Sequence, residues 1–284
     1  MRSPRRRPAL AAAVVAAGLA AAGCGGGNGR SADDAMAPQE VILQPAAAPG
    51  PDPFTESTAR KSAETVPAPS TDRNPSPVSS TSPVAQELSS IPGSTPGLYG
   101  GTHSVASCDV ERQIHFLTED SARRRVFAQV SGVDPNGVPG YLRGLTPVVL
   151  RADARVTNHG YTSGTATGFQ AVLQAGTAVL VDAHGAPRVR CACGNPLLPP
   201  TSGTGKVMHR GQPWPGYRPD RVAVVKPVTQ PIDVLMIVDV VSNTWIERKA
   251  GDDCRQDRTS DAGPIPPPPS NDVLPPPPGG DGAS

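Results

Sequence analysis

The chain has 284 residues, of which 35 are proline, 30 are glycine and only 4% are aromatic, so one packed core cannot run its whole length. A balance of 26 Lys and Arg against 25 Asp and Glu leaves a formal charge of +1 with no concentrated basic face, which sets nucleic acid aside as a partner.

The N-terminus, "MRSPRRRPALAAAVVAAGLAAAGC", has a positive n-region (Arg2, Arg5, Arg6 and Arg7), a short alanine-rich apolar run and small residues leading to Cys24. This pattern predicts an export signal over residues 1–23, too short for a spanning helix. "LAAAGC" resembles the lipobox of bacterial lipoproteins, which implies cleavage before Cys24 and a diacylglyceryl thioether on its sulfur. Acyl chains, at roughly 0.8 kcal/mol per buried methylene, would hold the chain on a membrane surface. An ordinary secretory signal is the alternative, and Pro8 after the arginines weakens a twin-arginine reading.

Residues 24–97 are dominated by Pro, Ser, Thr, Ala and Gly, as in "VPAPSTDRNPSPVSSTSP", and read as a disordered tether spanning roughly 50 Å as a flexible coil. Residues 98–251 are long enough for one domain. Its opening predicts a helix capped by Ser107 with Glu111 in the first turn and Val110, Ile114 and Leu117 on one face. A second helix is expected from about Ser121 to Val130, and a short third one follows Asp134 and Pro135 and ends at Gly144. After Thr146 the period changes to strands, including a hairpin that pairs Val179 and Val181 with Val189 and Cys191, and "PIDVLMIVDVVS" as the central strand. The expected class is α+β: N-terminal helices packed on a mainly antiparallel β-sheet, flanked by disordered tails. Residues 252–284, with "PIPPPPSNDVLPPPPGG", complete the plan as a proline-rich tail, read as a spacer.

If Cys24 carries lipid, Cys108, Cys191, Cys193 and Cys254 remain, an even number in an oxidising compartment. On a strand, residues i and i+2 face one side without comfortably reaching each other. Cys191 and Cys193 are therefore expected to take separate partners, one Cys108 and one Cys254, with the assignment open. A loop of about 80 residues closed this way stabilises by about 4.5 kcal/mol in the chain-entropy model. C-x-C lacks the spacing of a zinc ligand pair, and the histidines His103, His115, His159, His184 and His209 are scattered, so no metal or other cofactor is expected.

The strings "LTPVVLRADARVTNHGY", "FQAVLQAGTAVLVDAHGAPRVRCACGNPLLPP" and "WPGYRP" resemble the bacterial family called domain of unknown function 6777, found on secreted lipoproteins of high-GC bacteria. The resemblance covers residues from about 98 to 248. It implies an extracytoplasmic domain and supplies no catalytic residues.

Candidate chemistry therefore rests on the residues themselves. "RADARVTNHGY" gathers Asp153, Arg155, Thr157, Asn158, His159 and Tyr161 at an expected strand end and turn, where they could converge on a ligand. "RGQPWPGYRP" offers Trp214 and Tyr217 as an aromatic surface for a glycan or partner, or else as a cover for the edge of the core. "TSGTGKV" is no phosphate loop, since Pro200 and Val207 stand where Gly and Ser or Thr are required. Two functions follow: a lipid-anchored extracytoplasmic envelope module binding a cell-wall polymer or a partner protein, or a wall hydrolase using His159 and Asp153 as acid and base. No nucleophile motif supports the second.

Overall fold

A computed structural model describes residues 39–60, 89–201 and 207–269, all of them within one compact unit. The export signal and Cys24 lie outside the described residues. Two pieces of the stretch read as a tether are strands. In β1 (Gln39–Gln44) Val41 and Leu43 alternate inward, and residues 45–60 continue from it as a strap in which Phe54 is fully buried. β2 (Ser89–Pro92) and β3 (Tyr99–Gly101) follow.

The helices lie close to where the spacing puts them. α1 (Val110–Glu119) buries Ile114 and Leu117, but its cap is Asp109, which accepts from the Arg112 amide at 3.0 Å. Ser107, the expected cap, instead donates to the Val148 carbonyl at 2.9 Å and ties this entry to a strand. α2 (Ser121–Ser131) starts at Asp120, whose carboxylate accepts from the amides of Ala122 and Arg123. It stops at Gly132, whose left-handed φ of 69° is the conformation that glycine adopts most readily. Asp134 caps a short 3-10 turn at Asn136, which leads into α3 (Val138–Arg143).

The rest is β. The strands are β4 (Thr146–Leu150), β5 (Ala154–Thr162), β6 (Thr165–Leu173), β7 (Ala178–Val181), β8 (Pro187–Arg190), β9 (Asn195–Leu198), β10 (Val207–Arg210), β11 (Ala223–Lys226), β12 (Val234–Asp239), β13 (Trp245–Lys249) and β14 (Arg258–Ser260). They join in one hydrogen-bonded path, β10-β1-β6-β5-β9-β8-β7-β4-β3-β12-β13-β14, with β11 branching from β5 and carrying β2. Inward side chains of β4, β5, β6, β7, β11, β12 and β13, among them Val148, Val156, Leu173, Val179, Val225, Leu235 and Ile237, share one apolar cluster, so the sheet curls over a common core.

This architecture corrects the expected class. The protein is a 14-stranded mixed sheet with three short helices, not a helical layer on a mainly antiparallel sheet. The helices share an apolar cluster with Phe54, Leu180 and Val189. Part of the mixing lies within the expected domain, where β3 runs parallel to β12 and β5 to β11, and the rest comes from stretches assigned to tails. β1 runs parallel to both β6 and β10, and β2 runs parallel to β11, while β14, in the expected C-terminal tail, pairs antiparallel with β13. In that same tail, Cys254 is fully buried, and Asp257 forms an ion pair with Arg248 at 2.6 Å with both side chains shielded from solvent.

The β7–β8 hairpin exists, but its register is shifted. Leu180 opposes Val189 and Val181 opposes Pro187 across a bulge, and the strand ends at Arg190, so Cys191 to Gly194 form a turn. The strand geometry assumed for "CAC" is therefore absent. Cys108 bonds to Cys191 with 5.9 Å between their Cα atoms. Cys193 and Cys254 are buried thiols, the former beside Arg190 and the latter in the field of Arg248 and Asp257, which corrects the expectation of a second bond.

Candidate functional site

Alternation along β5 gives its residues two destinations. Ala154 and Val156 enter the common core, while Arg155 and Thr157 oppose Val172 and Gln170 of β6 on the other face. That second face is apolar at Val41, Leu43 and Val172, and the loop carrying Trp214 and Tyr217 packs across it. Trp214 Nε1 donates to Asp153 Oδ2 at 3.2 Å, and the other carboxylate oxygen accepts from the Ala175 amide at 2.8 Å. The Trp214 and Tyr217 rings meet edge-on at 4.9 Å, and His209 packs edge-on against Tyr217 at 5.7 Å.

Below these rings runs a polar chain. Arg155, 4% exposed, donates to Gln170 Oε1 at 3.3 Å and to Gln39 Oε1 at 2.9 Å. Gln170 Nε2 donates to Thr157 Oγ1 at 2.7 Å, whose hydroxyl donates to the Pro199 carbonyl at 2.8 Å. Burial raises the Asp153 carboxyl above its ordinary range, while the bonds from Ala175 and Trp214 pull it down. Burial, and then the nearby Asp153 charge, also push the Tyr217 phenol well up. The Tyr217 hydroxyl is buried without a hydrogen-bond partner among the described residues. The result is an aromatic platform with an acid, a guanidinium and an unsatisfied hydroxyl at its base. It offers stacking and hydrogen bonding.

The structure thus unites Asp153 with Trp214 and Tyr217, two groups 61 residues apart in sequence, keeps Arg155 and Thr157 beside them, and sends Asn158, His159 and Tyr161 elsewhere. The "NHGY" stretch is not a turn: it lies inside β5, and the turn falls at Ser163 and Gly164, both with positive φ. Asn158 points to the opposite face, fully buried, and donates to Gln44 Oε1 at 2.7 Å. His159 opposes Gly168, and a Cβ on that glycine would lie 3.0 Å from His159 Nε2. Burial lowers the His159 pKa, partly offset by a hydrogen bond to the Pro196 backbone. Tyr161 joins Phe54 at 5.2 Å and lies under the Arg123 guanidinium at 5.2 Å. Six strand residues put Asp153 and His159 about 20 Å apart, so they cannot act as an acid and base on one bond.

A cleft of about 720 Å³ lies beside the disulfide, lined by Arg60, Asp109, Glu111, Arg143, Lys249 and Asp253 among others. Two of its ion pairs join chain stretches far apart in sequence, Arg143 with Glu111 at 2.7 Å and Arg60 with Asp109 at 3.1 Å, which no local pattern announces. Among the described residues no cluster of His, Cys, Asp or Glu has the makings of a metal site. No helix among them is long and apolar enough to cross a membrane.

A family model described as Domain of unknown function (DUF6777) matches residues 89–251. No curated protein and no solved structure matches the chain.

Proposed function

The chain belongs to the DUF6777 family, and on that premise we propose that it is a lipid-anchored extracytoplasmic envelope protein whose disulfide-stabilised domain binds a cell-wall polymer. The N-terminal signal pattern ending at Cys24 supports export and anchoring, and the Cys108–Cys191 bond suits an oxidising compartment. The observation that carries the binding reading is the platform of Trp214, Tyr217 and His209 over Asp153 and Arg155. Aromatic edges and faces give contact area at low entropy cost, and the polar groups beneath give orientation, as a saccharide chain requires. A wall hydrolase is the weaker reading, because its acid and base stand about 20 Å apart along β5.

Retention on purified wall sacculi tests this with the Cys24→Ser full chain. The wild type is expected to be retained without releasing soluble fragments, and Trp214→Ala to lose at least about tenfold in affinity, as a truncated aromatic anchor does. Trp214→Phe, which keeps the ring and loses the Asp153 bond, is expected to fall between them. Equal retention of all three, or fragment release that stops in His159→Ala, overturns the proposal.

A further inference from the structure

The region matched by the family begins at residue 89, yet residues 39–60 are built into the fold. What they touch lies almost wholly within 89–251, and the recognition runs mainly through their backbone. β1 is inserted in parallel between β6 and β10, with Ile42 opposite Ala171 and Gln44 opposite Leu173. Beyond it, the Arg190 guanidinium donates to the carbonyls of Pro45, Ala48 and Pro49 at 2.8, 2.5 and 2.9 Å. The Phe54 amide donates to Asn195 Oδ1 at 2.9 Å, and the Phe54 carbonyl accepts from Arg123 at 2.8 Å. The amides of Thr55 and Thr58 donate to the carbonyls of Cys193 and Cys191, each at 2.8 Å. Side-chain selection comes from Phe54, fully buried against Phe127 and Tyr161, and from Val41 and Leu43.

This is how a sheet edge and groove receive an extended peptide: main-chain bonds hold it and a few pockets select it. The receiving face is polar where the strap lies. Arg190 and Asn195 are fully buried with it in place, and its removal would strip a guanidinium and an amide oxygen of their bonds to the Pro45, Ala48 and Pro49 carbonyls and the Phe54 amide.

We propose that this groove is a peptide-docking surface, and that residues 39–60 of a second copy can fill it, pairing two chains by reciprocal strand exchange. Every contact would be the one seen here, so exchange requires no new interface. Residues 61–88, which join the strap to β2, reach at most about 100 Å when extended, long enough to enter a neighbouring copy. This surface adjoins the Trp214 platform, since Val41 and Leu43 lie under the Trp214 loop and Gln39 accepts from Arg155, but its test reads strand exchange and does not depend on wall binding.

The test uses the full chain with a protease site introduced between residues 61 and 88. Uniformly nitrogen-15-labelled and unlabelled copies are mixed intact at high concentration, warmed below the unfolding midpoint, cleaved, and weighed by native mass spectrometry. Complexes of mixed mass, an N-terminal piece from one copy on a C-terminal piece from the other, are the expected result. Complexes of uniform mass alone, or pieces that separate on cleavage, overturn the proposal. When labelled Phe54→Ala chains are mixed with the wild type, wild-type acceptors are expected to hold the wild-type piece over the variant by at least about tenfold, as loss of a buried aromatic anchor implies. Equal retention of the two pieces also overturns it.

Discussion

His159 and the Arg248–Asp257 pair show what burial does to charge at single positions. The His159 ring, half-buried between β6 and β9, has its pKa lowered below the ordinary 6.5 by desolvation. The unfolded chain therefore binds protons more readily at this residue. Its contribution to stability is full above about pH 6.5 and is lost as the pH falls from there toward the lower folded value. Between about pH 7.5 and about pH 5.5, His159→Gln is expected to lose less in thermal midpoint than the wild type, as followed by circular dichroism. Carboxylates such as Asp109, held low first by the Arg112 amide, act in a separate window below about pH 4. The Arg248–Asp257 pair, bidentate at 3.0 and 2.6 Å, is solvent-free, and Arg248 also reaches the carbonyls of Pro147 and Thr102. Asp257→Ala strands the guanidinium and is expected to cost about 3–5 kcal/mol in chemical denaturation. If instead the segment beyond residue 251 were a spacer, the same substitution would leave the midpoint unchanged.

At the scale of elements, legibility follows the distance between partners. α2 could be read to within a residue because everything that sets it is local: Asp120 before it, Gly132 after it, and Phe127 and Ala128 buried within it. Asp120→Ala removes an acceptor for two amides and is expected to lower the midpoint of urea denaturation. β1 was legible in principle, since "QEVILQ" does alternate at Val41 and Leu43. It is only six residues long, however, amid proline and alanine, and its partners on β6 and β10 lie more than a hundred residues away. Nothing in a local window tells such a strand from a tether. The site divides in the same way. Asp153, Trp214 and Tyr217 each stood out by residue type, but the 3.2 Å bond that makes them one place depends on how a loop crosses β5 and β6. The separation of Asn158 from His159 required the strand to continue through "NHGY", where Asn and Gly had suggested a turn. Gly160 is there because the strap crosses it: a Cβ would come within 2.7 Å of Asp52 Cβ.

For the whole molecule, the Cys108–Cys191 bond joins the entry of α1 to the turn after β8, across a sequence separation of 83. The strap covers both ends. Ala59 bridges Cys108, and Thr58 binds the Cys191 carbonyl through both its amide and its hydroxyl. Strap, first helix and sheet are thus fastened at one point, and a loop this long stabilises the fold by about 4.5 kcal/mol in the chain-entropy model. Cys108→Ser is expected to lose a large part of that in chemical denaturation, and loss of well under about 1 kcal/mol would mean that the strap fastens the junction unaided. The remaining sulfurs make the compartment testable. Cys193 and Cys254 are fully buried, and burial raises both thiols, that of Cys254 to about 12, so neither is a ready nucleophile in the folded chain. Native protein purified from membranes is expected to take up no alkylating reagent while folded. Unfolding without reductant should expose Cys193 and Cys254 alone, and reductant should add Cys108 and Cys191, with Cys24 blocked throughout by its acyl group. A fifth reactive thiol would refute the anchor. Four thiols before reduction would refute the bond, and with it the oxidising environment on which the envelope assignment stands.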